Sequence, residues 1–249
     1  MSGFRAYFDF TKDNADGLIS LSADESRHLC GSLRARKGDA VDAFDLSGNI
    51  YSCTIEHPDT KSALLKIIQR VCPAKRQTQI WLLQCLPKGK TFDEIIRQCV
   101  ELGAAGVIPI LSRFSQVKIP PQEVEKKRQK WLAQVIEAVK QSSNFDGFEL
   151  PGAQTFEQAL TETSDFDLKI TASLEPDAKN ISSVFKELKC PPKKVAVLIG
   201  PEGDMSADEY SLARNCGFAP VTLGKNVLKS NTAAVSTLSQ VIAALDFIS

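Results

Sequence analysis

The sequence is poor in histidine, has no surplus of either charge and contains no long apolar run. His28 and His57 are the only histidines among 249 residues. The seven cysteines (Cys30, Cys53, Cys72, Cys85, Cys99, Cys190 and Cys216) never stand at CxxC spacing. A zinc site needs four close ligands, so no metal is expected. An odd set of thiols, mostly inside apolar runs, points to small core residues in a reducing compartment instead of a disulfide framework. Lysine plus arginine and aspartate plus glutamate both number 30, which argues against a simple polyanion binder but leaves room for a local basic patch. No apolar run reaches membrane-spanning length and Met1 to Asp9 lacks a secretory stretch. No membrane partner and a cytoplasmic location are therefore expected. The turn Gly200-Pro201-Glu202-Gly203 is not followed by Gly-Lys-Ser/Thr, so it is not a P-loop.

What is present is ordinary globular material, 43% hydrophobic and 24% charged, long enough for one large domain or two small ones. The first seventy or so residues read as β-rich, with strands at Val41–Leu46, Ile50–Glu56 and Ala63–Val71. Ser47-Gly48-Asn49 is a hairpin turn, because glycine accepts positive φ without penalty. Segment 24–37 reads as a helix ending in the basic cluster Arg34, Arg36 and Lys37. A small barrel is the natural way to bury strands this short. Pro73 to Gln77 reads as a linker.

From Thr78 the period changes to alternating strands and helices, which means a parallel sheet covered on both faces. Thr91 with Glu94, and Ser206 with Glu209, have capping-box spacing at two helix starts. A long helix over about 122–141 carries the run Lys126, Lys127, Arg128 and Lys130, read as a solvated face. The division expected is 1–73 and 78–249.

Two stretches carry chemistry. Val195 to Ile199 is a buried strand running into Gly200-Pro201-Glu202-Gly203 and a capped helix. Leu223-Gly224 ends the next strand and leads through Val227, Leu228 and Lys229 to a last helix. Ligands of open α/β sheets gather at the carboxyl ends of strands, where glycine lets them approach the backbone. For the first turn alone, a plain strand-to-helix connection is an equal reading. Glu202 fits both a ligand contact and an acceptor for amides of its own turn.

Together, Gly200-Pro201-Glu202-Gly203, Leu223-Gly224 and Val227-Leu228-Lys229-Ser230-Asn231-Thr232-Ala233 resemble the signature of the ribosomal RNA small subunit methyltransferase E family, within the SPOUT superfamily. Arg5-Ala6-Tyr7-Phe8, His28-Leu29, Leu33-Arg34 and Gly38-Asp39 are similar to its N-terminal PUA-like barrel. Pro87-Lys88-Gly89-Lys90, Glu101-Leu102-Gly103, Pro109 and Trp131 through Ser142 are similar to the first half of its catalytic domain.

The resemblance implies an α/β fold: a PUA-like RNA-binding β-barrel, then a SPOUT methyltransferase domain with a C-terminal trefoil knot near 223–233. It implies S-adenosylmethionine as cofactor, held by Leu198, Ile199, Gly200, Pro201, Glu202, Gly203, Leu223, Gly224, Val227, Leu228, Thr232 and Ala233. It implies methylation of N3 of a uridine in 16S rRNA of the small ribosomal subunit, by a homodimer whose active sites borrow residues from both subunits. Lys229 and Asn231 take the catalytic positions, and Arg5, Arg34 and Arg36 the RNA contacts.

The chain departs from the family pattern on the substrate side. Lys229, Ser230 and Asn231 stand where the family has Arg, then Thr or Ser, then Glu. Asn144 replaces an arginine, Arg113-Phe114-Ser115 stands for Glu-Arg-Ser, and Gly203-Asp204 for Gly-Gly. Lysine offers one mobile point charge where arginine offers a fork, and asparagine is no base. An RNA methyltransferase with a shifted target and a catalytically silent RNA-binding relative are therefore the alternatives.

Overall fold

The computed structural model describes residues 3–9, 17–72 and 76–247. It divides into two compact units, Met1–Lys75 with Val139–Phe148, and Arg76–Ala138 with Glu149–Ser249.

In the first unit β1 (Phe4–Tyr7), β2 (Leu18–Ser20), β3 (Ala40–Phe44), β4 (Ile50–His57) and β5 (Leu64–Val71) form one sheet in the order β1-β3-β4-β5-β2. β1 lies parallel to β3 and the other neighbours are antiparallel. Register shifts between Ser52 and Cys53 and between Ile55 and His57 bend β4 against β5, which curls the sheet into a half-barrel. Its inner face closes on Ala6, Ile19, Leu29, Val41, Ile55 and Leu65. The expected helix 24–37 is shorter. α1 (Ala23–Ser26) passes into a π-helical turn, Arg27–Ser32. The wider turn closes with Leu33 N on His28 O at 2.9 Å and Ala35 N on Leu29 O at 3.1 Å. Arg34, at φ 55, then reverses the chain and leaves Arg34, Arg36 and Lys37 on an exposed turn.

Segment 139–148 groups with this unit. The reason is side-chain chemistry that long-range partners supply. Phe145 packs on Phe44 with ring centroids 5.3 Å apart. Phe148 N donates to Leu46 O at 2.9 Å, and Arg5 Nη1 donates to Lys140 O. Lys140 pairs with Glu25 at 2.6 Å, and their side chains are 10% and 12% exposed. A charge pair this buried is costly to break, because removing one partner strands the other.

The second unit holds β6 (Gln79–Cys85), β7 (Gly106–Leu111), β8 (Gln154–Thr155), β9 (Leu168–Ala172), β10 (Lys179–Asn180), β11 (Lys194–Ile199) and β12 (Ala219–Thr222). They form a wholly parallel sheet in the order β10-β12-β9-β11-β6-β7-β8. The helices are α2 (Thr91–Glu101), α3 (Val124–Ser142, the last four residues of which group with the first unit), α4 (Phe156–Glu162), α5 (Ile181–Lys186), α6 (Ala207–Asn215) and α7 (Ser230–Asp246). α7 packs on α2 and α5, and α4 packs on α6. Successive strand residues face opposite ways. Leu83, Cys85, Ile108, Ala196 and Leu198 join Phe156 and Leu160 of α4 in one cluster, while Gln84 reaches Ser230 of α7. Burial on both faces explains why β11 is apolar from Val195 to Ile199, without alternation. Among the described residues no helix is long and apolar enough to cross a membrane.

The Ser206–Glu209 capping box is present. The one expected at Thr91 is not: Lys90 is the N-cap, without a side-chain bond, and Thr91 is already helical. A capping box at Thr155 and Gln158 opens α4 without having been expected. Strand order matters most for function. The chain lays β9 two places from β6, fills the gap with β11, then crosses β9 to lay β12. Such a reversal opens a crevice at the carboxyl ends of the strands.

Candidate functional site

That crevice is a cavity of about 320 Å³ between the segments that follow β9, β11 and β12. Ile199, Gly200, Pro201 and Glu202 line it from β11, and Leu223, Gly224, Val227, Leu228 and Ala233 from the opposite side. Lys229, exposed and N-terminal to α7, also lines it. Three of the expected cofactor residues do not. Leu198 is fully buried on the α4 face of the sheet, one strand position away from Ile199 and so turned the other way. Gly203 faces Phe114, and Thr232 is exposed on α7 outside the lining. Asn231 is half-buried in the first turn of α7 and does not line the cavity either.

Ala172, Ser173, Leu174, Tyr210 and Asn226 line it without having been singled out, and Asp204, noted only as a departure from the family pattern, lines it too. The β9 segment contains no glycine and no motif, so only strand order brings it here. Asn226, between Gly224 and Val227, was within reach of the motif.

Buried polar contacts hold one side of the cavity. Ser230 Oγ donates to Gly200 O at 2.8 Å and accepts from Gln84 Nε2 at 2.9 Å. Gln84 is wholly buried and also donates to Cys85 O at 2.8 Å. This chain of bonds joins the ends of β6 and β11 to the start of α7. Glu209, 7% exposed, accepts from Ser206 N at 2.8 Å, Ser206 Oγ at 3.0 Å and Arg113 N at 2.8 Å. Arg214 forks onto Glu175 at 2.7 Å and Asp177 at 2.9 Å, bracing the segment after β9 against α6. Hydrogen bonding to Arg214 holds the Asp177 carboxyl below the usual aspartate range. Glu202 Oε1 accepts from Lys88 N at 3.1 Å while lining the cavity.

Asp204 sits at φ 63, a conformation that aspartate tolerates because its short carboxylate bonds locally. Its Oδ1 accepts from Met205 N at 2.8 Å and from Tyr210 Oη at 2.7 Å. Burial, then the bond to Asp204, pushes the Tyr210 phenol well up, so it stays a donor. Three buried thiols are poorly suited to act as nucleophiles: burial raises Cys53 to about 12 and lifts Cys85 and Cys99 as well. Among the described residues no group of three or more His, Cys, Asp or Glu is placed to hold a metal. The expected RNA contacts lie in the first unit. Arg34 and Arg36 are exposed, whereas Arg5 is half-buried and committed to Lys140 O.

A cavity of this size, mostly apolar with a few convergent polar groups, suits a small organic ligand held largely by backbone. Gly224 has φ 124 and open space where a side chain would point, so the backbone is accessible there.

Comparison with known proteins bears on what such a cavity serves. The family described as RNA methyltransferase domain matches residues 74–242, and the one described as RNA methyltransferase PUA domain matches residues 21–68. A Bacillus subtilis protein named ribosomal RNA small subunit methyltransferase E is 26% identical, over 95% of this chain and 95% of its own. An Aquifex aeolicus protein of the same name is 28% identical, over 92% and 96%. Among solved structures, a Legionella pneumophila methyltransferase in complex with bound SAM is 28% identical, with a TM-score of 0.85 and 98% of both chains covered. A ribosomal RNA small subunit methyltransferase E from Neisseria gonorrhoeae, 22% identical, shares the fold with a TM-score of 0.81 over 98% and 97% of the chains.

Proposed function

The chain belongs to the RNA methyltransferase family, and from that premise we propose that it methylates small-subunit rRNA with S-adenosylmethionine, at N3 of a uridine in 16S rRNA. The observation that carries this reading is the cavity at the strand reversal, with Lys229 exposed on its lining. Its volume of about 320 Å³ falls in the range of small-ligand pockets. Backbone at Gly200 and at 223–228 would hold the cofactor, with Ile199, Leu223, Leu228 and Ala233 as apolar walls. When bound, S-adenosylmethionine supplies an electrophilic methyl group.

The protein's own groups have three tasks. N3 of uridine must lose a weakly acidic proton, which passes to solvent water, and negative charge then builds on the neighbouring carbonyl oxygens. The Lys229 ammonium offsets that charge, assisted by the positive end of α7. The Gln84–Ser230–Gly200 bonds fix the start of α7, and with it Lys229, against the cavity. Asn231, outside the lining, is assigned a supporting donor role. Arg34 and Arg36 grip rRNA phosphates, and Arg5 serves as a brace in its own unit.

The crossing of β9 between β11 and β12 supports a knot in which 223–233 is threaded. Leu174, Val227 and Phe247 are 63%, 76% and 88% exposed, and this apolar exposure supports a homodimer that would cover it; an rRNA substrate assigns the protein to the cytoplasm.

The test is methyl transfer from labelled S-adenosylmethionine to 16S rRNA and to purified small subunits, with the product mapped by mass spectrometry. A single 3-methyluridine is expected. Methyl on another base means a shifted target. Cofactor binding without transfer to either substrate means a silent relative.

A further inference from the structure

We propose that a second cavity, walled by Lys90, Lys127 and Lys130 above Trp131, holds a stretch of phosphodiester backbone of the RNA substrate. The inference rests on the RNA methyltransferase reading and adds to it a binding surface outside the first unit.

The cavity measures about 430 Å³ and lies wholly within the second unit. α3 supplies one wall through Lys127, Lys130, Trp131 and Gln134. Their i, i+3, i+4, i+7 spacing sets them on one helix face. The basic run on this helix is therefore not simply a solvated face: two of its four members turn toward a concavity. Leu86, Pro87, Gly89 and Lys90, from the end of β6, supply the other wall.

The charge there is unspent. Among the described residues, none of Lys90, Lys127 and Lys130 has a carboxylate within 4.0 Å. Arg128, on the same helix but outside the lining, is satisfied by Glu125 at 3.1 Å and Leu150 O at 2.8 Å. Asp93 is the single carboxylate in the lining, against three ammonium groups. In a chain whose total charge is zero, such a concentration marks a place for an anion.

The floor specifies which part of a nucleic acid fits. Trp131 is 6% exposed and edge-packed on Phe92, with centroids 4.7 Å apart. Its face is therefore unavailable as a stacking platform for a base, and mobile point charges over an apolar floor suit phosphates. Position relates this cavity to the chemistry: Lys88, in the same short segment, donates its N–H to Glu202 of the first cavity. One loop thus borders both, and RNA lying across the lysines would run beside the reacting nucleotide.

The experiment measures binding of full-length protein to in vitro transcribed 16S rRNA as a function of salt. It compares the parent with the triple variant Lys90→Gln, Lys127→Gln, Lys130→Gln, and with a control of equal charge loss, Lys126→Gln, Lys186→Gln, Lys189→Gln. Losing three phosphate contacts should lower the slope of log affinity against log salt by about 2 in the first variant. The control should stay near the parent. S-adenosylmethionine affinity by calorimetry and the melting curve should be unchanged in both, which excludes misfolding. A parental slope in the first variant, or an equal fall in the control, overturns the inference. Failure of the parent to bind the rRNA at all overturns the RNA reading itself.

Discussion

The two sides of the first cavity are built differently. On the β11 side, polar side chains hold the loops: buried Gln84 and Ser230 tie Gly200, buried Glu209 ties Arg113, and the partly exposed Arg214 ties Glu175 and Asp177. Opposite, between Leu223 and Leu228, the side-chain hydrogen bonds are the contacts of Thr222 Oγ1 with Gly224 at 3.3 Å, and Val227 is 76% exposed. The contrast separates two tasks. The tied side presents a preformed shape, which lowers the ordering cost of binding. The open side offers backbone and apolar surface for a ligand or a second copy to cover.

The largest effect expected tests chemistry against binding. Lys229→Ala should slow methyl transfer by about a hundredfold or more, while cofactor affinity measured by calorimetry stays near the parental value. Transfer at the parental rate would assign the cationic role elsewhere.

Next comes the tied side. Ser230→Ala leaves one N–H of Gln84 Nε2 and the carbonyl of Gly200 without their Ser230 partner, and should cost about 1–3 kcal/mol in denaturant unfolding. Adding Gln84→Leu, which removes the other buried partner, should recover part of that loss. A double variant less stable than the sum of the two single losses would show that the bond network is not the source.

The open side should respond the other way round. Gly224→Val forces a side chain onto φ 124 and should weaken cofactor binding about tenfold, with little change in unfolding, because the segment is exposed. Equal loss of stability and affinity would mean that this side is as tightly built as the other.

The smallest effect is expected at Arg214→Gln: about a two- to threefold loss of cofactor affinity, fading at high salt, since the fork is partly exposed. The pH sign follows from Asp177. Its carboxyl is depressed in the folded state, so the brace is complete above the ordinary aspartate range and fails as pH falls through the lowered value. A melting curve insensitive to acid in that interval would count against the brace.

Much of the second unit was legible because its signals are local. The switch to strand–helix alternation at Thr78 and the Ser206–Glu209 box are properties of adjacent residues, and both are present in the structure. The glycine turns after β11 and β12 were legible for the same reason, although strand alternation turned Leu198 away and helix position left Thr232 and Asn231 outside the cavity. Other features were hidden because their cause is distant. Segment 139–148 leaves the second unit for Phe44, Leu46 and Glu25, which nothing in its own sequence announces. The lysines of α3 look alike along the chain, and only the loop facing them separates Lys127 and Lys130 from Lys126 and Arg128.

By itself, then, the sequence determined the element types, the class of each half and the residues from which a ligand cavity could be made, since propensity, capping and glycine conformation act over a few residues. Tertiary structure alone decided which of those residues meet. The order β12-β9-β11-β6 brings Ala172, Ser173 and Leu174 to the cavity, and burial leaves Ser230 and Gln84 with only each other and the carbonyls of Cys85 and Gly200 to satisfy them. Strand order is settled by packing a whole sheet between two helix layers, a free energy summed over residues far apart in the chain and so readable from no short stretch of it.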